Sequence, residues 1–126
     1  MIARFAIALL ALALAGCATL DPNPGPQLHH VVLFWLKDPG NASHRQQIVE
    51  ASKSFAEIPS VIGVKTGSGV SSDRAIVDDS FDVGIVVTVA DKKGLADYLA
   101  HPIHQKAKRG VLLPLVKKIV VYDFAN

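Results

Sequence analysis

Apolar residues in this chain fall into two regimes: one unbroken run near the start, then short clustered blocks from residue 28 onward. Phe5 to Ala15 is apolar at every position. A helix needs roughly 20 apolar residues to span a bilayer, so this run is too short for an ordinary transmembrane anchor. With Arg4 ahead of it and small residues behind it, it has the make-up of a signal peptide, which is removed and stays outside the folded domain. The next stretch, Ala18 to Gln27, reads ATLDPNPGPQ. Its prolines and glycine exclude a helix and disfavour a central strand. It reads as a tether, and ten extended residues at roughly 3.3 Å each reach about 30 Å.

From Leu28 the pattern changes to that of a folded domain. His29 to Leu36 is β-rich and apolar, and Asp38-Pro39-Gly40-Asn41 ends it, so a first strand is predicted there. Asn41 or Ser43 can cap a helix running to about Glu57, with Ile48, Val49, Ser52, Phe55 and Ala56 on one face. A second strand follows from Val61 to about Val70, loosened by Gly63, Gly67 and Gly69, then a polar loop from Ser71 to Asp79. Phe81 to Val89 is the third strand. Asp91 caps a second helix carrying Leu95, Tyr98 and Leu99, which stops at His101-Pro102. A further helical turn or two, with Ile103, Ala107 and Leu112, precedes Pro114, and Lys118 to Phe124 forms the last strand. Strand, helix, strand, strand, helix, strand is the α+β, ferredoxin-like βαββαβ order, with a four-stranded antiparallel sheet and both helices on one face.

A sheet covered on one face should alternate apolar and polar residues along each strand. These strands do not. Val32, Phe34 and Leu36 stand against Val31, Leu33 and Trp35 on the first strand, and Ile119 and Val121 against Val120, Tyr122 and Phe124 on the last. Both faces call for cover, and the chain offers no third layer. A second copy packed sheet to sheet, as an isologous homodimer, supplies it. The inner space of such a barrel can also receive a small apolar ligand, with Val32, Phe34, Val83 and Ile85 facing it.

Length and charge narrow the classes. One hundred and twenty-six residues, half of them apolar, allow a single domain. Thirteen basic against eleven acidic side chains give a net charge of +2, and loss of the leader with Arg4 lowers it to +1. Nucleic-acid binders carry a clustered basic face, so no nucleic-acid partner is expected. Cys17 is the one cysteine, which excludes an intramolecular disulfide. Leu14-Ala15-Gly16-Cys17 resembles the bacterial lipobox, in which the cysteine is acylated and becomes the new N-terminus. The expected organisation is a lipoprotein signal peptide over 1–16, a lipidated Cys17 with its tether over 17–27, and the domain over 28–126. Ala18, where sorting to the inner membrane would call for aspartate, implies an outer-membrane anchor facing the periplasm.

The domain itself resembles the stress-responsive A/B barrel (Dabb) family. The matching pieces are His30-Val31-Val32-Leu33-Phe34, Ile58-Pro59-x-Val61, Phe81-Asp82-Val83-Gly84, Tyr98-Leu99-Ala100-His101-Pro102-Ile103-His104 and Val121-Tyr122-Asp123-Phe124. The resemblance implies two subunits closing their sheets into one dimeric α/β barrel. Some members are linked to stress response, and a few plant relatives are polyketide cyclases whose histidine and tyrosine positions match His30, Tyr98 and His104. The leader and proline tether depart from that soluble plant group.

Imidazole is the side chain best suited to proton transfer near neutral pH. His30 and His104 in an apolar cavity, with Tyr98 as hydrogen-bond partner, make a candidate general acid/base site. Structural roles fit the same residues: His101 as a helix-end cap, His104 bracing a turn through a backbone carbonyl, Asp123 bracing a strand end, Tyr98 as core. The histidine spacing supplies too few ligands for a metal, and no cofactor motif is present. Three functions follow from the sequence: a membrane-anchored dimeric barrel holding a small apolar or aromatic molecule or serving a stress-related role, a cyclase- or lyase-like enzyme, or a structural envelope protein without a ligand.

Overall fold

The computed structural model describes residues 25–126, so Phe5–Ala15, Cys17 and most of the tether lie outside the described residues. Gly25 to Gln27 run as irregular chain into β1 (Leu28–Leu36), as the proline content dictates. Next come α1 (Ala42–Lys53), a 3₁₀ turn (Ser54–Glu57), β2 (Val61–Ser68) and β3 (Val83–Val89). The chain continues through α2 (Lys92–Ala100), α3 (Pro102–Ala107), a π-turn (Lys108–Leu112), α4 (Leu113–Leu115) and β4 (Val116–Ala125). The strands form one antiparallel sheet in the order β2-β3-β1-β4. The two central strands therefore come from the two most apolar segments of the domain.

Strict alternation along β1 and β3 sends one set of side chains under the helices. Leu28, His30, Val32, Phe34 and Leu36 are buried from β1, and Val83, Ile85, Val87 and Val89 from β3. They meet Ile48, Ser52 and Phe55 of the first helical segment and Tyr98 of α2. Ser52 is tolerated in this core because its hydroxyl donates to the Ile48 carbonyl at 2.6 Å. The opposite face, with Val31, Leu33 and Trp35, is only half-buried. On β4, Tyr122 and Phe124 of that face are 60% and 57% exposed.

Several boundaries differ from the sequence reading, each for a local reason. Asn41 is the cap of α1, its side-chain oxygen accepting from the His44 amide at 2.9 Å. The first helix tightens after Lys53 into a 3₁₀ turn, which rotates Ala56 out to solvent while keeping Phe55 inside. β2 ends at Ser68, and the next residue must be glycine, since a Cβ on Gly69 would sit 2.5 Å from the Phe81 carbonyl oxygen. β3 starts at Val83, and Asp82 just before it fastens the neighbouring turn. Its carboxylate oxygens accept from the Leu36 and Gly40 amides, both at 2.9 Å. Gly40, at φ +76°, supplies the left-handed residue that this β1–α1 turn requires. The π-turn places the Leu113 amide on the Lys108 carbonyl, five residues back. Pro114 explains it, since in a regular helix its ring would collide with the carbonyl four residues earlier.

Candidate functional site

The cross-strand register of β1 and β4 sets His30 opposite Asp123, Val32 opposite Val121 and Phe34 opposite Ile119. All six lie on the helix-side face. The helices cover β1 and β3 but leave β4 open, so Ile119 and Val121 remain 44% and 46% exposed. A cavity of about 300 Å³ occupies the resulting space between the sheet and the segment from α2 to α4. Val32, Phe34 and Ile85 form its floor, Phe55 and Leu112 its walls, and His30, Tyr98 and His104 its polar end.

Each of the three polar side chains is held by a different device. His30 is buried, and its Nδ1–H donates to the Asp123 carboxylate at 2.6 Å. His104 is the third residue of α3, where Pro102 starts a new helix and His101 caps it by accepting from the Ile103 amide at 3.2 Å. Its Nδ1–H donates to the Leu99 carbonyl at 3.0 Å, an acceptor shared with the Gln105 amide group at 2.7 Å. A carbonyl and a carboxylate only accept, so in both neutral imidazoles the proton sits on Nδ1 and Nε2 is the basic atom. Tyr98 lies between them, with its ring centroid 5.9 Å from that of His30 and 4.6 Å from that of His104. Phe55 closes the cluster, 5.5 Å from both Tyr98 and His104.

Burial governs the ionisation of Tyr98 and His104. It pushes the Tyr98 phenol well above its ordinary value of 10, so the hydroxyl stays protonated and can donate. It also lowers His104, opposed by the bond to Leu99 and helped by the positive charge of Lys108 and, when protonated, of His30. The neutral, basic form of His104 is therefore favoured. Among the described residues no group of three or more His, Cys, Asp or Glu side chains is arranged to hold a metal ion.

Of the residues the sequence singled out, His30, Tyr98, His104, Val32, Phe34 and Ile85 surround one cavity, and Val83 does not line it. Val83 is fully buried in the core, at the first position of β3. The cavity also differs in place from the one expected between two sheets: it lies between sheet and helices within a single chain, because Val32, Phe34 and Ile85 face the helices. The pairing of Asp123 with His30 was missed. Its signal was available, because antiparallel pairing of the first and last strands sets their opposite ends side by side. Leu99 shares the helix face read for Tyr98, whereas Lys108 and Leu113 on the cavity wall carry no signal, since the π-turn that orients them leaves no period in the sequence.

The fold and register define an α+β protein of the ferredoxin-like class. A model of the stress responsive A/B barrel domain matches residues 28–126, and the chain belongs to that family. Among solved structures, a Dabb family protein from Mesorhizobium loti with a ferredoxin-like fold superposes with a TM-score of 0.64 at 23% identity, covering 79% of this chain and 95% of that one. A dimeric ferredoxin-like protein from Thermobifida fusca gives 0.65 at 23%, covering 82% and 93%. The hydroxynitrile lyase from Passiflora edulis gives 0.65 at 22%, covering 82% and 95%. These similarities establish a shared fold. Comparison with curated proteins gives no match.

Proposed function

We propose that this chain binds a small apolar or aromatic molecule in the cavity beneath α2 and α3, as a dimer held at the cell envelope by lipid on Cys17. The cavity carries the proposal. Its volume of about 300 Å³ falls at the lower end of ligand pockets, and its apolar floor with a few polar groups at one end is the usual make-up of a small-molecule site. A purely structural protein would fill such a space with its own side chains. Dimerisation is supported by the half-buried apolar face of the sheet and by the dimeric Thermobifida relative. The outer-membrane, periplasm-facing location rests on Leu14-Ala15-Gly16-Cys17-Ala18.

A second reading, acid/base catalysis of a lyase or cyclase type, is favoured by one specific feature. Both imidazoles have Nδ1 engaged and Nε2 free for a bound molecule, with a protonated phenol between them. That pairs a base with a donor at one end of an apolar cavity. A fold-mate that is a hydroxynitrile lyase suits this chemistry.

Native mass spectrometry of the protein from its own cell tests both readings. A retained small molecule, lost when Ile85→Trp fills the cavity, is the expected result. A protein that carries nothing, and that soaks up no aromatic probe, refutes the binding site. His104→Ala should then abolish turnover of the retained molecule without unfolding the chain; turnover that survives assigns His104 to bracing the helix turn.

A further inference from the structure

Lys108 is the first residue of the π-turn and stands at the rim of the cavity. Among the described residues it is the only permanently charged side chain lining that space; no carboxylate does. Asp123, whose carboxylate lies beyond the lining, is already paired with His30. Among the described residues the ion pairs are His30–Asp123, Lys53–Glu50 and Lys93–Asp97, so none engages Lys108. A second cavity makes a contrast. It lies between α1 and the segment from α3 to the π-turn, and both Glu57 and Lys106 line it, leaving its charges mixed.

We infer that Lys108 makes the cavity beside His104 selective for an apolar or aromatic molecule bearing one negative charge, such as a small carboxylic acid, with the body on Val32, Phe34 and Ile85 and the anion at the rim. The inference deepens the proposed binding role and rests on it. The apolar floor accepts the body through burial alone and cannot tell an acid from its amide. An unopposed ammonium can, because it attracts the anion and does not attract the neutral isostere. The π-turn is what makes this possible. It carries Leu112 inward onto the cavity wall while leaving the Lys108 stem on the rim, an arrangement set by Pro114 downstream. Burial does most to lower the ionisation of His104, and the ammonium of Lys108 adds to it, which places that charge within electrostatic reach of the ring.

The pair 3-phenylpropanoate and 3-phenylpropanamide tests this, because the two share a skeleton and differ in charge. Each is titrated by NMR into the full chain in a nonionic detergent, following the Ile85 and Leu112 methyl groups that line the cavity. The acid should bind roughly tenfold tighter than the amide, and the margin should shrink as salt is raised, since the rim is solvent-exposed. Lys108→Gln should weaken the acid to the level of the amide and leave the amide unchanged, and Lys108→Arg should keep the preference. Equal affinities in the native protein, or a preference that survives Lys108→Gln, overturn the charge selection while the cavity remains a binding site. Methyl groups that respond to neither compound remove both. The salt series on the native protein decides the point even if a Lys108 variant fails to fold.

Discussion

His104 uses its two ring nitrogens for two different ends. Nδ1 braces the turn between α2 and α3 by donating to Leu99, and Nε2 is left to the cavity. The structural role falls to Nδ1, and the proposed chemical role would fall to Nε2, so the two do not compete for one atom. Burial, Lys108 and His30 lower its ionisation below the ordinary histidine value of 6.5. Its contribution to stability is therefore full above pH 6.5 and is lost as pH falls through the lower folded value, because the unfolded chain takes up the proton first. NMR titration of the ring should give His104 a midpoint below 6.5, moving upward in Lys108→Gln. A midpoint at or above 6.5 would contradict a base kept neutral by its surroundings.

At the scale of elements, the ends of the segments carry most of the specificity. Asp82, just before β3, fastens the β1–α1 turn by accepting from two amides, that of Leu36 part-buried and that of Gly40 exposed. Removing its carboxylate should cost about 2 kcal/mol, since hydrogen bonds to a charged group are stronger than neutral ones and the amides are left unpaired. Urea unfolding of Asp82→Ala should show a lowered midpoint with an unchanged slope, and ligand binding should persist because Asp82 lies outside the cavity lining. An unaltered midpoint would mean that water replaces the carboxylate without loss. The first helix, the second helix and the central strands were legible from periodicity and caps, as Asn41 and Asp91 show. The 3₁₀ and π segments were not, because each is a local compromise with Pro59 or Pro114 and a tertiary neighbour, which no period encodes.

For the whole molecule, the uncovered sheet face and the proposed leader set the predictions. Val31, Leu33 and Trp35 remain half-buried beside Tyr122 and Phe124. Light scattering of residues 28–126 should give twice the chain mass, and Leu33→Asp should give the monomer mass by placing a charge in the joint face. A native monomer would leave that face without a partner and sink the barrel. Cys17→Ser should move the protein from the membrane fraction to the soluble one, or stall processing of the leader. A variant still cleaved and membrane-bound would show that lipid on Cys17 is not the anchor. No helix of the described residues is long and apolar enough to cross a membrane.

By itself the sequence determined the order of elements and the apolar character of both faces of the strands, because periodicity, caps and prolines act over a few residues; the candidate trio His30, Tyr98 and His104 came from the resemblance to the family. Only the tertiary structure decided which face the helices take, since two apolar faces look alike in one dimension. That choice moved the cavity from between two sheets to beneath the helices of one chain and excluded Val83 from it. It also joined Asp123 to His30 across 93 residues and set Lys108 on the rim, because register and the turn forced by Pro114 fix distances that the chain's order leaves open.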